Sequence, residues 1–415
     1  MSEKLTTIQN DAFERFKKLK IGALFMKMGT GKTRVAMELV NYNRPDYLLY
    51  ITPFSTIENA RTEIEKWGCC CVYDILGYES IASSDKIYMD LRNKVKKLRD
   101  KNKKLFIIAD ESIFIKNGLS KRTRRCKDLR RFFDYALILN GTPVTKNEWD
   151  LFNQMDFLSN KILNMNYKEF IELFFVEHKN NRYNGDKSYY TFYEPNRPAL
   201  VKLCEPYVYE ANFEFNMAEK RQIFKIQCDT DEYDNAKEKV LSRYEIFEID
   251  SLLELFARLQ QMAACMPEKN SAVAEYISGR QCICFCNYID EVKEIQKKCD
   301  CYVLTGATKE KERKKIIENF KNDGNKPLVI MIGCGAFGLN LQFCNEIVYS
   351  SLTFDFAKLE QSEYRIKRTG QTRDIQYTYI LADVNINHMM FENIDKKQNL
   401  LDIIKNLLKD SREGK

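Results

Sequence analysis

The sequence predicts an α/β protein of two tandem lobes, each a doubly wound parallel sheet, with a mainly helical insertion between them. Three observations predict it. Short apolar runs without polar interruption, at 21–25, 105–109, 135–139 and 328–332, are of the type buried on both faces of a parallel sheet. Amphipathic helical stretches alternate with those runs, as crossover connections between parallel strands require. A length of 415 residues, at roughly 100–200 residues per domain, holds two such lobes and one smaller element. The expected division is 1–150 for the first lobe, 151–270 for the insertion and 271–415 for the second lobe.

The first strand runs into Met26-Lys27-Met28-Gly29-Thr30-Gly31-Lys32-Thr33, with a helix expected over 33–43. Glycines there let successive amide N–H groups face a phosphate, Lys32 can reach its β- and γ-oxygens, and the Thr33 hydroxyl can hold Mg²⁺. The general motif has glycine where this chain has Met26, so the loop alone does not decide the matter. The next strand, Leu-Phe-Ile-Ile-Ala-Asp110-Glu111-Ser112, delivers two carboxylates at its C-terminal end, where parallel sheets present groups to a nucleotide. Asp110 would hold Mg²⁺ and Glu111 would orient or deprotonate an attacking water. The strand at 135–139 leads into Asn140-Gly141-Thr142-Pro143. Much later, Gln361-Ser-Glu-Tyr-Arg365-Ile-Lys-Arg368-Thr-Gly-Gln371 places two arginines three apart, which on a helix share one face and suit a γ-phosphate.

Taken in order, these segments resemble helicase superfamily two, and most of all its Swi/Snf-type group of double-stranded DNA translocases. Gln9 falls where that family places an adenine-reading glutamine. Gly29, Thr30, Gly31, Lys32 and Thr33 match its phosphate loop, and Tyr50-Ile-Thr52-Pro53 is similar to the motif that follows. Asp110-Glu111-Ser-Ile-Phe-Ile-Lys116-Asn117 resembles the extended acidic motif, and Gly141-Thr142-Pro143 through Asn147 the third motif. In the second half the matches are Leu304-Thr305-Gly306-Ala-Thr308, Gly335-Ala-Phe-Gly338-Leu339-Asn340-Leu341 and the arginine segment. The resemblance implies two RecA-like lobes, ATP and Mg²⁺ as cofactors, and duplex DNA as a track contacted without sequence reading. It implies Lys32, Asp110, Glu111, Arg365 and Arg368 as catalytic residues. Gln9, the phosphate loop, Gly338 and Gln361 would bind ATP, with Thr33 and Asp110 at the metal. Thr52, Pro53, Lys116, Asn117, Thr142, Thr305, Gly306 and Asn340 would meet DNA. With halves of the site on different lobes, hydrolysis would be tied to their closure.

Departures from the family pattern are informative. Ile113 stands where a histidine usually links the acidic motif to the third motif, Tyr207-Val-Tyr-Glu210 lies near the usual paired arginines, and Ser350-Ser-Leu-Thr-Phe354 replaces an acidic, tryptophan-containing segment. Strand separation and a catalytically weak binding module are the alternatives to duplex translocation.

A net charge of +7 is modest, but basic residues crowd 92–104 and 116–131, flanking the acidic motif, which suggests a phosphate-backbone footprint. The 14 cysteines lack Cys-x-x-Cys spacing and have only His178 and His388 as histidine companions, so buried free thiols are expected rather than zinc sites or disulfides. The aromatic segment around Asn184-Gly185-Asp186 reads as a surface loop, with base stacking as the sharper possibility. With no secretory signal and no apolar span of membrane length, cytoplasmic residence is expected, in a phage or bacterial DNA-processing setting.

Overall fold

The computed structural model describes residues 4–141, 143–144, 148–179, 188–211, 217–241, 249–335, 339–353, 355–368 and 371–396. Thr142, Asn147, Gly338 and the Asn184-Gly185-Asp186 segment lie outside the described residues. The chain divides into two compact units, Met1–Glu214 and Phe215–Lys415. The expected insertion is therefore divided between them, at 214, rather than standing alone.

In the first unit, β1 (Ile21–Met26), β2 (Tyr47–Thr52), β3 (Val72–Gly77), β4 (Leu105–Asp110) and β5 (Tyr135–Asn140) form a parallel sheet. A short hairpin follows, β6 (Phe175–Lys179) and β7 (Ser188–Phe192), and β8 (Val208–Ala211) then joins the sheet beside β1, giving the order β3-β2-β4-β5-β1-β8. Alternate side chains divide between two cores. Ala23, Leu49, Ile107 and Ile138 face helices such as Asp85–Asp100 and Lys121–Arg130, while Leu24, Leu48, Phe106 and Leu137 face Thr7–Phe16, Lys32–Asn43 and Ile57–Trp67. Burial on both faces explains why these strands read as continuous apolar runs. Helix starts are fixed locally: Thr6 and Gln9 form a reciprocal capping box, and the Ser84 and Ser120 hydroxyls accept the N–H groups of Ile87 and Thr123.

The second unit repeats the plan with β9 (Glu219–Ile226), β10 (Ile283–Cys286), β11 (Tyr302–Leu304), β12 (Leu328–Met331), β13 (Glu346–Tyr349) and β14 (Ile375–Ala382). All pairings are parallel, in the order β11-β12-β10-β13-β14-β9. The alternating Cys282, Cys284 and Cys286 are buried against the helices Pro267–Ile277 and Ile289–Lys298. Among the described residues the cysteines are free thiols. None of the described helices is long and apolar enough to cross a membrane.

Two segments singled out in the sequence supply strands. Tyr189, Tyr190 and Phe192 of the aromatic stretch lie on β7, antiparallel to β6: Phe192 packs on Phe174 and Phe175, and Tyr190 donates to Glu177. The Tyr207–Glu210 segment carries the edge strand β8, its Tyr209 hydroxyl donating to the Ile8 carbonyl at the start of the chain's first helix.

Candidate active site

In the first unit the C-terminal ends of β1, β4 and β5 gather the predicted nucleotide residues. Gly29 and Gly31 both take the left-handed conformation, with φ of 85° and 84°, which allows the loop to turn tightly into the helix Lys32–Asn43. Gln9 reaches this loop from the first helix and donates from Nε2 to the Thr30 carbonyl at 3.0 Å. The Thr30 hydroxyl closes the turn onto the Lys27 carbonyl at 2.7 Å. Lys32 Nζ lies 2.8 Å from the Met26 carbonyl, at the base of the loop. A Cβ on Gly141 would stand 3.7 Å from that ammonium, so the turn after β5 abuts the phosphate loop.

Tyr50, on β2, ties the metal candidates together. Its buried hydroxyl donates to Asp110 Oδ2 at 2.9 Å, with the Thr33 side chain beside it. Burial pushes the Asp110 carboxyl above the ordinary range, while the Lys32 charge and the Tyr50 hydroxyl pull it back. A carboxylate costly to desolvate, beside a hydroxyl and an ammonium, is suited to a hard cation and a polyphosphate. Glu111 follows in the left-handed region at φ 50°, its N–H donating to Asp110 Oδ1 at 2.9 Å. For a residue with a Cβ that conformation costs roughly 1–2 kcal/mol, and it turns the second carboxylate away from the strand direction.

Beyond the acidic pair, the helix Asp150–Leu158 braces the loop. Ser112 Oγ donates to Gln154 Oε1 at 2.6 Å and accepts from Asn140 Nδ2 at 3.5 Å, while Gln154 Nε2 donates to the Pro143 carbonyl at 2.7 Å. Lys116 pairs with the buried Asp150 at 3.2 Å, and Asn117 is exposed. Thr52 and Pro53 are buried, the Thr52 hydroxyl bonding Thr56 at 2.6 Å, so their neighbour Phe54, 65% exposed, is what this strand end shows to solvent.

About half of the basic residues in the two runs are ion-paired within the unit. Arg92 pairs with Asp128, Lys94 with Asp74, Arg99 with Asp134, Lys103 with Asp46, Lys121 and Arg125 with Asp85, and Lys127 with Asp156. A cation already held by a carboxylate gives up part of its gain when it meets a phosphate.

In the second unit Arg365 and Arg368 do converge, though not along a helix face. The helix Phe356–Glu363 ends before them, and a tight turn with Arg365 N–H to Ser362 and Arg368 N–H to Ile366 carries both guanidinium groups onto the Leu339 carbonyl, at 3.3 and 3.4 Å. Arg368 also bonds Asn340 Oδ1, and Arg365 is buried. On the same helix Gln361 has its Oε1 buried without a hydrogen-bond partner among the described residues. Thr305 and the exposed Gly306 open the turn after β11, held by Arg313, which donates to the Thr305 and Thr308 carbonyls. The structure thus brings Gln9, Thr30, Lys32, Thr33, Asp110 and Glu111 together on one unit, and Arg365, Arg368 and Asn340 together on the other. Tyr50 was missed as a site residue. Tyr50 lay within a quoted motif, but the only sign of its role was a hydroxyl in an otherwise apolar strand.

Two family descriptions match the chain: the SNF2-related domain over residues 14–209 and the helicase conserved C-terminal domain over 268–370. The chain is similar to a SWI/SNF-related matrix-associated actin-dependent regulator of chromatin subfamily A-like protein 1 homolog of Caenorhabditis elegans, 24% identical over 90% of this chain and 58% of the relative. It is similar to an uncharacterized ATP-dependent helicase of Mycoplasma genitalium, 24% identical over 92% of this chain and 40% of the relative. A third relative, the human DNA annealing helicase and endonuclease ZRANB3, is 20% identical over 89% of this chain and 37% of its own length. The chain spans about half the length, or less, of these relatives.

Proposed function

The chain belongs to helicase superfamily two, in its Swi/Snf-type group, and from that premise we propose that it is an ATP-driven translocase on duplex DNA whose hydrolysis is stimulated by that DNA. The observation that carries the reading is the gathering of Lys32, Thr33 and Asp110 at the ends of parallel strands, with Tyr50 donating to Asp110 and Glu111 one residue on.

ATP would lie on the phosphate loop, Gln9 at its adenine and Lys32 exchanging the Met26 carbonyl for a phosphate oxygen. The Thr33 hydroxyl and Asp110 carboxylate form a hard-oxygen set that fits Mg²⁺, which when bound neutralises charge developing on the phosphates. Glu111 orients and deprotonates the attacking water. Arg365 and Arg368 act on the charge of the transferred phosphoryl group, a contribution worth roughly 10³–10⁵ in rate where an arginine finger serves it. The relatives' names support DNA as the track: one is called a DNA annealing helicase.

The test is ATPase rate measured in parallel without nucleic acid and with single-stranded DNA, duplex DNA and duplex RNA. Duplex DNA is expected to give the largest stimulation. Equal rates in all four conditions, or preference for RNA, would overturn the proposal.

A further inference from the structure

The helix Asp150–Leu158 turns three polar side chains toward the segment after the acidic pair, and their spacing, Asp150, Asn153 and Gln154, is that of one helix face. All three are buried. Asp150 holds Lys116; Asn153 donates to the Lys116 carbonyl at 2.8 Å and accepts from Lys127 at 2.6 Å. A Cβ on Gly118 would come within 2.9 Å of Asn153, so glycine is what lets the loop lie against this face.

Gln154 is the most constrained of the three. Its Oε1 accepts from Ser112 Oγ, and its two Nε2 hydrogens go to the Pro143 carbonyl at 2.7 Å and the Asp150 carbonyl at 2.8 Å. One fully buried amide therefore spans the residue next to Glu111 and the turn that follows β5. A buried amide with its donors and its acceptor engaged resists independent movement of its partners, because parting from either leaves an unsatisfied polar group. Ile113, the neighbouring residue in the acidic segment, has no polar side-chain atom with which to make such a link.

We propose that Gln154 is a positioning residue that couples the acidic pair to the turn at Pro143, so that displacement of that turn is felt at Glu111. The inference rests on the reading of the chain as a DNA-stimulated ATPase. Gln154 touches neither nucleotide nor DNA in this account; it acts through Ser112 and the Pro143 carbonyl.

The experiment measures kcat and KM for ATP, with and without duplex DNA, in the parent, Gln154→Leu, Gln154→Glu and Ser112→Ala, alongside thermal melts. Gln154→Leu keeps the side-chain size and removes both links. It is expected to keep basal kcat and KM for ATP within about twofold while the stimulation by duplex falls at least about tenfold. Gln154→Glu keeps the acceptor for Ser112 and should retain part of the stimulation. If Gln154→Leu does not fold, Ser112→Ala carries the test, with an expected loss of stimulation of at least about threefold. The double variant should be no worse than Gln154→Leu alone, since both break one chain of contacts. Full stimulation in the folded single variants, or losses that simply multiply in the double variant, would overturn the coupling and leave the ATPase reading standing. A parent that duplex DNA does not stimulate would overturn both.

Discussion

Replacing Gly31 by alanine tests the phosphate loop at its tightest point. Gly31 sits at φ 84°, ψ 36°, where a Cβ costs roughly 1–2 kcal/mol. The added methyl would also stand 2.3 Å from Gln9 Nε2, closer than atoms approach without bonding, so the amide must leave the Thr30 carbonyl it meets at 3.0 Å. Loss of that hydrogen bond adds about 1 kcal/mol, giving about 2–3 kcal/mol in all. For a unit of this size that corresponds to a fall in Tm of about 4–12 °C. Both tryptophans, Trp67 and Trp149, lie in the first unit, and Trp67 stacks on Arg34 of the helix that Gly31 caps. Tryptophan fluorescence during urea unfolding therefore reports on this unit. The decisive comparison repeats Gly31→Ala in a Gln9→Ala background, where the methyl meets no amide and only the backbone term of roughly 1–2 kcal/mol should remain. An equal cost in both backgrounds would refute the packing of Gln9 on Gly31. A cost near zero in either would refute the left-handed turn itself.

Asp110→Asn should raise apo stability at pH 8: burial lifts the folded pKa above the unfolded one, so stability present below the unfolded value is lost as pH rises through the folded value, and urea melts should show the advantage shrinking as pH falls from the folded value toward about 4 and gone below it. Lys32→Ala should abolish hydrolysis by weakening ATP binding, whereas Glu111→Gln should bind ATP at parental affinity and fail to turn over; a fluorescent-nucleotide titration beside a phosphate-release assay separates the two, and normal turnover in either contradicts the assigned roles. Arg368→Ala should bind ATP nearly as the parent does and lose about three orders of magnitude in hydrolysis, since the guanidinium acts on transition-state charge. Retention of the parental rate would make it an ordinary arginine held by Leu339 and Asn340.

The strands and the phosphate loop were legible because their signals are local. An unbroken apolar run needs burial on both faces, and two glycines before Lys32-Thr33 permit the positive φ that the structure contains at both. What the sequence hid depends on partners brought from afar. In the run 92–104, the ion pairs of Arg92, Lys94, Arg99 and Lys103 were hidden because their carboxylates, Asp128, Asp74, Asp134 and Asp46, come from other elements. Tyr50 meets Asp110 from 60 residues away, and Gln154 meets Ser112 from 42. Arg365 and Arg368 have helical spacing, yet their convergence comes from a turn whose geometry is set by contact with Leu339. The boundary at 214 was hidden for a similar reason: β8 and β9, both within the expected insertion, each complete the edge of a different sheet.

The central claim is movement along an intact duplex, and displacement of streptavidin from an end-biotinylated duplex tests it most directly. With ATP the parent should release streptavidin while the two strands stay paired on a native gel, and Glu111→Gln should release none. Strand separation by the parent, or ATP hydrolysis stimulated by duplex with no displacement, would contradict translocation on double-stranded DNA.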